Sequence, residues 1–317
     1  MAIPVTPTRI GIDVSKDELV VCIDPDQPLL TLENSPHAIR QWLASLPQGP
    51  IEIAVEATNT FHIDLVDLAH RRGHTLFLID GFRLSRYRDS VGIRAKTDSC
   101  DARLLQRYLS HERKQLLPWT PPCREYTVLQ RLIRRRAVLV KARTTLKQSF
   151  KGLPELKRSC DAVIRQLERL DLLIINRLQQ TLKSAQWDDD AQRCQAIEGV
   201  GPITSASLAT AFHRGPFKSA DAFVAFHGLD VRVRDSGKLK GRRKLSKKGD
   251  PELRRLLYLA AKTASRSESW KPLYQRYLDR GLSKIQSLVI LARKIARIAF
   301  SLMKNQSTYQ PKTLNIA

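Results

Sequence analysis

The first third of the chain alternates short apolar runs with segments of helical periodicity. Apolar residues in short runs or at every second position predict strands at 9–14, 19–23, 51–55 and 75–79. A repeat of three to four residues predicts helices at 36–46, at 61–72 and around 101–109. Two strands close enough to form a hairpin, followed by strand–helix–strand alternation, predict a mixed α/β sheet with helices on its faces.

The pattern changes after the proline-rich segment 118–122, where a long helical stretch begins. A second helix, at about 160–183, carries a single apolar stripe formed by Val163, Leu167, Leu170, Ile174, Leu178 and Leu182. Two such helices are expected to pack as an antiparallel coiled coil. The third region is mostly helical and is interrupted by a basic loop at 231–250. We therefore expect four segments: an α/β domain at 1–117, a coiled coil at 118–190, a helical domain at 191–304 and a flexible tail at 305–317.

The charge of the chain indicates a polyanionic partner. There are 54 Lys and Arg against 31 Asp and Glu, which gives a net charge of +23 and an isoelectric point near 10.2. Such a field favours nucleic acid first and acidic membrane surfaces second. Between residues 118 and 158 there are eleven Lys and Arg and two acids. This face is either merely solvated or in contact with nucleic acid or a partner protein.

Membrane insertion and secretion are not expected. The apolar stretch 287–303 is broken by Arg293, Lys294 and Arg297. Residues 1–9 lack the apolar core of a signal peptide. The five cysteines are scattered without zinc-ligand spacing, which indicates reduced thiols. We expect a cytoplasmic, nucleoid-associated protein.

Four acidic residues fall at positions that suit a metal site. Asp13 lies inside an apolar strand, where a carboxylate is costly to bury unless a cation neutralises it, although a surface-facing strand position explains it equally well. Glu56 closes a strand at its carboxyl end, where ligands gather in α/β sheets. Asp98 and Asp101 share one face of a helix start, where acids are also ordinary complements of the helix dipole.

The four acids together indicate a metal site more strongly than any one of them does. Carboxylate oxygens at fixed separation are the ligands that Mg²⁺ requires for phosphoryl transfer. A ribonuclease-H-like sheet supplies an Asp from its first strand, a Glu from a later strand and further Asp residues from a late helix, and this order fits. Glu52 has the same strand parity as Glu56 but lies about 13 Å back along the strand, so it is the weaker candidate.

The basic loop is the strongest electrostatic feature of the chain. Residues 238–248 include seven Lys and Arg and no acid, which suits phosphate neutralisation. Ser236 precedes a glycine beside these cations, which could lower the cost of an alkoxide. A Ser-Gly pair is more often a simple turn, and Ser246 is a rival nucleophile. The candidate nucleic-acid-binding residues are Arg232, Arg234, Lys238, Lys240, Arg242, Arg243, Lys244, Lys247 and Lys248.

The segment 197–204, Ile-Glu-Gly-Val-Gly-Pro-Ile-Thr, is similar to the hairpin of a helix-hairpin-helix element. Glycine amides at a helix N-terminus can bind a phosphate. A tight helix connection without a ligand is an equally good interpretation.

These motifs, in this order, resemble one known family. Residues 11–16 (GIDVSK), 55–58 (VEAT) and 96–103 (KTDSCDAR) are similar to the DEDD domain of the Piv-like insertion-sequence transposases, the IS110 group. The later motifs at 197–201, 225–229, 235–237, 245–249 and 253–258 resemble the second domain of that family. The chain departs from common family patterns in having Asn59-Thr60-Phe61 after Ala-Thr and Ser99-Cys100 between the aspartates.

The resemblance implies a fold and a chemistry. It implies a RuvC-like (ribonuclease-H-like) domain, a coiled coil and a helical transposase domain. It implies a Mg²⁺-binding tetrad of Asp13, Glu56, Asp98 and Asp101, with Ser236 rather than Ser246 as the catalytic serine. It also implies donor and target DNA as substrates, a structured guide (bridge) RNA encoded by the element, and a homotetramer or dimer of dimers.

Three hypotheses remain open from the sequence. The leading one is a DNA recombinase in which Ser236 forms a covalent bond to DNA. The second is a metal-dependent, Holliday-junction resolvase-like nuclease that uses water and no serine. The third is a non-catalytic basic protein that binds nucleic acid and whose acids are structural.

Overall fold

A computed structural model of the chain describes residues 6–57, 60–93, 97–236 and 239–311, and for residues 233–236 and 239–242 it describes the backbone alone. The chain divides into two compact units, Met1–Pro121 and Pro122–Ala317.

The first unit is built on a five-stranded mixed sheet. Its strands are β1 (Thr8–Val14), β2 (Glu18–Cys22), β3 (Leu30–Glu33), β4 (Ile51–Glu56) and β5 (Thr75–Ile79). The sheet order is β3-β2-β1-β4-β5, with β1, β4 and β5 parallel and the first three strands antiparallel. Its helices are α1 (Pro36–Ser45), α2 (Ile63–Arg71), α3 (Gly81–Ser90) and α4 (Asp98–Glu112). The predicted α/β class with a mixed sheet is confirmed.

Strand β1 divides its side chains between two layers. Ile10, Ile12 and Val14 are buried in a core shared with α1 and α2. Gly11 and Asp13 point to the opposite face, where α4 packs. A Cβ added to Gly11 would collide with backbone atoms of Ala102 and Gln106. The missing side chain therefore lets α4 lie directly on β1 and brings the first turn of α4 close to the carboxyl end of that strand.

Two elements of this unit were not predicted. Strand β3 has four residues, most of them exposed, so its apolar pattern is weak. Helix α3 has the sequence GFRLSRYRDS and buries only Leu84 among its residues. Neither element has the periodicity from which a strand or an amphipathic helix is inferred.

The second unit is helical with one hairpin. Its helices are α5 (Arg124–Ser149), α6 (Lys157–Ser184), α7 (Asp188–Gln195), α8 (Pro202–Phe212), α9 (Ala220–Phe226), α10 (Pro251–Ala264), α11 (Lys271–Asp279) and α12 (Lys284–Asn305). Helices α7 to α12 surround one core to which α5 and α6 contribute Leu129, Ile133, Leu178 and Leu182.

Helices α5 and α6 pack side by side, and the stripe predicted on α6 is buried only in part. The buried residues of α6 are Ile164, Asp171, Leu178, Thr181 and Leu182. Val163 is 50% exposed and Leu170 is 46% exposed, whereas Leu167 and Ile174 are partly buried and Leu178 and Leu182 are buried. Nε of Arg136 lies 2.7 Å from the Asp171 carboxylate, and this ion pair allows that polar residue to be buried between the helices.

The basic segment predicted as a loop is a β-hairpin. Strand β6 (Val231–Ser236) pairs antiparallel with β7 (Leu239–Leu245). Its high density of cations hides the weak alternation of apolar residues from which strands are normally predicted.

The part of the tail that is described is anchored rather than frayed. Helix α12 ends at Asn305, and the Gln306 side chain donates to the Asp190 carboxylate at 3.0 Å. The Tyr309 hydroxyl donates to Glu198. Residues 312–317 lie outside the described residues. Within the described part of the chain, no helix combines the length and the apolar character needed to cross a membrane.

Candidate active site

Three acids of the first unit converge at one end of the sheet. Asp13, Glu56 and Asp101 each offer a carboxylate oxygen, and these oxygens lie within 4.8 Å of one another. The convergence follows from the sheet register, since Ile12 on β1 is paired with Val55 on the parallel strand β4. Asp13 and Glu56 are therefore the next residues along two adjacent strands. Asp101 reaches the same place because α4 packs on Gly11.

The surroundings of Asp13 raise the pKa of its carboxyl group. Burial is the main cause that raises the pKa of Asp13 from 3.8 to about 6, and the negative charges of Asp101, Asp98 and Glu56 raise it further. A carboxylate whose ionised form is disfavoured by burial and by like charges is stabilised by any cation placed among the acids. Perturbed groups of this kind are common at functional sites.

Asp98 takes a different place from the other three acids. It is exposed at the first position of α4, after the N-cap Thr97, and it is not part of the group within 4.8 Å. Its charge still contributes to the raised pKa of Asp13, so it belongs to the same electrostatic environment.

Glu56 is positioned by a glycine. A Cβ added to Gly81, the first residue of α3, would collide with Oε1 of Glu56. The start of α3 therefore packs against the carboxylate, and a larger side chain at position 81 would displace it. The N-cap Asp80 fixes this helix start by accepting a hydrogen bond from the Arg83 amide at 3.1 Å.

Arg88 is a member of the site that sequence reasoning missed. Its guanidinium forms an ion pair with the Asp101 carboxylate, and the two side chains are only 11% and 8% exposed. Its Nε is buried without a hydrogen-bond partner among the described residues. The signal in the sequence is weak, because Arg88 lies ten residues before Asp98 on a helix with little amphipathic character.

Glu52 is an acid of the same sheet whose charge is neutralised by protein side chains. It lies on the same face of β4 as Glu56, but Arg9 and Arg113 both pair with its carboxylate. Two guanidinium groups neutralise it, so it has no need of a metal. The lower rank given to Glu52 agrees with this arrangement.

The cluster fits a hard divalent cation. Its three converging groups are all carboxylates, which are the ligands that Mg²⁺ and Mn²⁺ prefer, and no thiolate or imidazole belongs to the group. The close spacing of the oxygens and the raised pKa of Asp13 both describe acids that a cation would stabilise. This end of the sheet therefore carries an acidic cluster suited to a divalent metal.

Ser236 is the last residue of β6, in the second unit. Its backbone is paired with Leu239, while its side chain lies outside the described residues, as do Lys238 and the side chains of Arg234, Lys240 and Arg242. The remaining candidate cations are described. They are exposed, as phosphate contacts need to be: Arg232, Arg243, Lys244, Lys247 and Lys248.

Ser246, the rival nucleophile, has a structural role at the base of the hairpin. It is buried, its hydroxyl donates to the Asp230 carboxylate, and it accepts from the Lys248 amide at 3.3 Å. A hydroxyl in these two bonds closes the hairpin base and is poorly placed to meet DNA.

The hairpin base is held by two glycines and an arginine. Gly228 has φ +66°, and a Cβ there would lie 2.6 Å from the Lys248 amide nitrogen. A Cβ on Gly249 would collide with the backbone of residues 226 and 227. Nη1 of Arg254 donates to the carbonyls of His227, at 3.1 Å, and Gly249, at 2.9 Å. These contacts join both ends of the hairpin to α9 and α10.

The glycine-rich turn at 197–201 has at least one packing role. Gly199 has φ +82°, and a Cβ there would collide with the backbone of Ala260 on α10. Gly201, in contrast, has open space at its Cβ position. Close packing against α10 thus explains the glycine at position 199 without a bound phosphate.

Comparison with known proteins finds transposases. A DEDD transposase profile of the IS110 type matches residues 10–156, and the profile described as "Transposase IS116/IS110/IS902 family" matches residues 191–277. The chain is 25% identical to the pilin gene-inverting protein of Moraxella bovis, over 96% of this chain and 98% of that protein. It is 26% identical to a probable family 20 transposase of Pseudomonas aeruginosa, over 96% and 99%. It is 28% identical to the transposase for insertion sequence element IS1328 of Yersinia enterocolitica, over 92% and 96%.

Proposed function

The chain belongs to the IS116/IS110/IS902 family of transposases, enzymes that act on DNA, and we propose the chemistry by which it does so. It cleaves and exchanges the DNA strands of an insertion sequence with Ser236 as the nucleophile. Asp13, Glu56, Asp98 and Asp101 hold Mg²⁺ for this reaction.

The observation that carries the proposal is the convergence of Asp13, Glu56 and Asp101. Three carboxylates within 4.8 Å, one with its pKa raised to about 6, are costly to maintain without a cation. When bound, Mg²⁺ would supply charge neutralisation at the phosphate oxygens. Asp98, exposed at the start of α4, faces solvent where a nucleic acid can approach.

The protein groups have separate tasks in this reaction. Gly81 and Gly11 allow α3 and α4 to lie against the sheet, so Glu56 and Asp101 are held in position. Arg88 restrains Asp101 through their ion pair. The exposed cations of the hairpin, Arg243 and Lys244 among them, bind the DNA backbone without reading its sequence.

The covalent step exchanges one phosphodiester bond for another. Oγ of Ser236 attacks phosphorus and loses its proton to solvent, and one bridging P–O bond of the DNA breaks. The deoxyribose oxygen leaves and takes up a proton, so the product is a phosphoserine and a free hydroxyl. Attack by the hydroxyl of another strand on the phosphoserine reverses the process and completes the exchange. The bond energy is conserved in the adduct, so the exchange needs no external energy source.

We assign the selection of DNA sites to the guide RNA. The family resemblance implies a structured guide RNA and a tetrameric assembly, and the basic residues of α5 supply a second cationic surface in addition to the hairpin. One surface would bind the RNA and the other the DNA phosphates, while base pairing selects the sites. None of the elements described here is an evident recognition helix of the helix-turn-helix or zinc-finger kind.

Adduct trapping tests this function. Labelled DNA that carries the element ends is incubated with protein, Mg²⁺ and RNA transcribed from the element's non-coding flank, and denaturing electrophoresis separates covalent complexes. We expect an adduct with the wild type and with Ser246→Ala, and none with Ser236→Ala or Asp13→Asn. Metal-dependent nicking without any adduct would instead indicate a resolvase-like nuclease that uses water. Binding without nicking would indicate a non-catalytic protein.

A further inference from the structure

Helix α3 presents an aromatic side chain to solvent beside the acidic cluster. Phe82, the second residue of this helix, is 48% exposed. The other aromatic residue of α3, Tyr87, packs inward, edge to face with Tyr108 at a centroid distance of 4.9 Å. The two rings of this short helix thus have different surroundings, and the ring of Phe82 is the more exposed of the two.

The exposed ring is accompanied by cations. The guanidinium carbon of Arg86, one turn further along α3, lies 5.3 Å from the centroid of the Phe82 ring. Arg83 is exposed on the same helix. An aromatic ring with an arginine over it and another nearby is the combination that proteins use to bind unpaired nucleic acid strands. The ring stacks on a base while the guanidinium groups stack or contact phosphates.

The platform is continuous with the acidic site. Gly81, the residue before Phe82, packs against the Glu56 carboxylate. Arg88, further along the same helix, pairs with Asp101. At about 100° per residue, Phe82 is displaced around α3 by roughly 100° from Gly81 and by roughly 120° from Arg88. A strand that runs from the acids around the start of α3 would bring a neighbouring nucleotide to Phe82.

A single exposed apolar residue needs no functional explanation in general. Phe82 differs because three independent features coincide: a large exposed ring, a guanidinium over it, and a helix start in contact with a candidate catalytic carboxylate. The positive charge of Arg83 and Arg86 complements DNA and disfavours a basic copy of this chain as the occupant of this surface.

We propose that Phe82 and Arg86 form a stacking platform for an unpaired base of the DNA strand whose phosphate is processed at the acidic cluster. The inference rests on the proposed function and extends it from the phosphate to an adjacent base. It assigns a DNA with a locally unpaired nucleotide as the preferred substrate of this site. Because every base has a π face, the platform can accept any of the four bases. This agrees with the selection of DNA sites by base pairing to RNA.

The test measures binding rather than cleavage, so it does not depend on the identity of the nucleophile. A DNA duplex carries one unpaired 2-aminopurine, and a second duplex has the same sequence with that base paired. Full-length protein with Ser236→Ala is the background, and fluorescence quenching and affinity are both recorded. We expect strong quenching on binding of the unpaired probe. The change Phe82→Ala should lower affinity for that probe about 10-fold or more and remove the quenching.

Controls separate stacking from packing and from charge. Phe82→Trp should keep or strengthen the effect, while Phe82→Leu, which retains the apolar volume, should lose it. Phe150→Ala, which changes a similarly exposed phenylalanine of the second unit, should have no effect. An equal loss for paired and unpaired DNA in Phe82→Ala would overturn the proposal, since it would indicate a contact to the backbone or a disturbed helix. Unchanged affinity and quenching in both Phe82→Ala and Phe82→Leu would overturn it as well.

Failure of this inference is distinguishable from failure of the proposed function. If Ser236→Ala abolishes the adduct and Phe82→Ala leaves 2-aminopurine quenching intact, the function stands and the platform is wrong. If Phe82→Ala removes the quenching while Ser236→Ala still forms an adduct, the platform stands and the nucleophile lies elsewhere.

Discussion

Arg88 is paired with Asp101 inside a cluster that also contains Asp13 and Glu56, so the site has one built-in cation among its acids. A buried carboxylate that loses its only paired cation becomes strongly destabilising. Arg88 therefore stabilises the folded protein as long as no other cation occupies the cluster.

Removal of the Arg88 charge is expected to make the fold depend on divalent metal. In EDTA, Arg88→Met should lower the free energy of unfolding by about 2–3 kcal/mol, because Asp101 then lies unpaired beside two other acids. Addition of Mg²⁺ or Mn²⁺ should recover more stability in the variant than in the wild type. Thermal denaturation with and without metal measures both effects. Arg40→Met, on the exposed side of α1, is the matched control and should change neither. Equal metal-induced stabilisation of wild type and Arg88→Met would contradict the role of Arg88 as a counter-ion.

The raised pKa of Asp13 predicts pH-dependent metal binding. This carboxyl titrates at about 6 in the folded protein and near 3.8 in the unfolded chain. Between these values the folded state holds more protons, so the Asp13 contribution to the free energy of unfolding falls as the pH rises. A cation must displace the proton below about pH 6, and we expect affinity to rise with pH up to this value and then to level off.

Calorimetric titration of Mn²⁺ checks this dependence. In buffers of different ionisation enthalpy, proton release should be larger at pH 5.5 than at pH 7.5, and Asp13→Asn should remove the difference. A metal affinity that is independent of pH across this window would show that Asp13 is not a ligand.

The acids themselves should be essential for recombination but not for folding. Asp13→Asn, Glu56→Gln, Asp98→Asn and Asp101→Asn each remove one charge and keep the shape of the side chain. We expect recombination to fall by at least about 100-fold, because the stabilisation of transferring charge is lost. Recombination between plasmids is the assay, and circular dichroism reports the fold. Glu52→Gln is the informative contrast. It removes the carboxylate that Arg9 and Arg113 share, so it should lower the free energy of unfolding while recombination falls less than in the four variants above.

The sequence was sufficient for the strands that carry the acids. Ile10, Ile12 and Val14 alternate with Gly11 and Asp13, so both the strand and the outlying acid are visible in the pattern. Arg88 was not predictable in the same way. Its helix buries only Leu84 and has no clear apolar stripe. Its partner Asp101 is brought near by the packing of α4 on Gly11, which a one-dimensional pattern does not encode. The hairpin was missed because the periodicity of strands is weak among so many cations.

The cations of the hairpin should act as phosphate contacts. Arg243→Ala and Lys244→Ala, both at exposed positions of β7, are expected to weaken DNA binding to a similar degree for unrelated sequences. The slope of log affinity against log salt should fall by roughly 1 for each lost contact. Fluorescence anisotropy at several salt concentrations measures the slope. An unchanged slope in the double variant would mean that β7 does not touch the DNA backbone.

The base of the hairpin should be held by Arg254. Its guanidinium joins the carbonyl of His227 on one side of the hairpin to that of Gly249 on the other, at 3.1 and 2.9 Å. Arg254→Met keeps the length of the side chain and removes both hydrogen bonds. At roughly 1 kcal/mol for each of the two bonds, local opening of the hairpin base should become about 30-fold more frequent. Hydrogen–deuterium exchange of the Ser246 and Lys247 amides, which are bonded to the carbonyls of Asp230 and Gly228, reports this opening.

Arg255→Met separates this effect from a general loss of charge. Arg255 neighbours Arg254 on α10 but pairs with Glu252 at the surface, so its loss should leave exchange at the hairpin base unchanged. If Ser236 is the nucleophile, a loosened hairpin holds its hydroxyl less well in position for attack. Arg254→Met should then slow adduct formation more than it weakens DNA binding. Exchange at Ser246 and Lys247 that is equally fast in the wild type and in Arg254→Met would show that the two glycines hold the hairpin without the arginine.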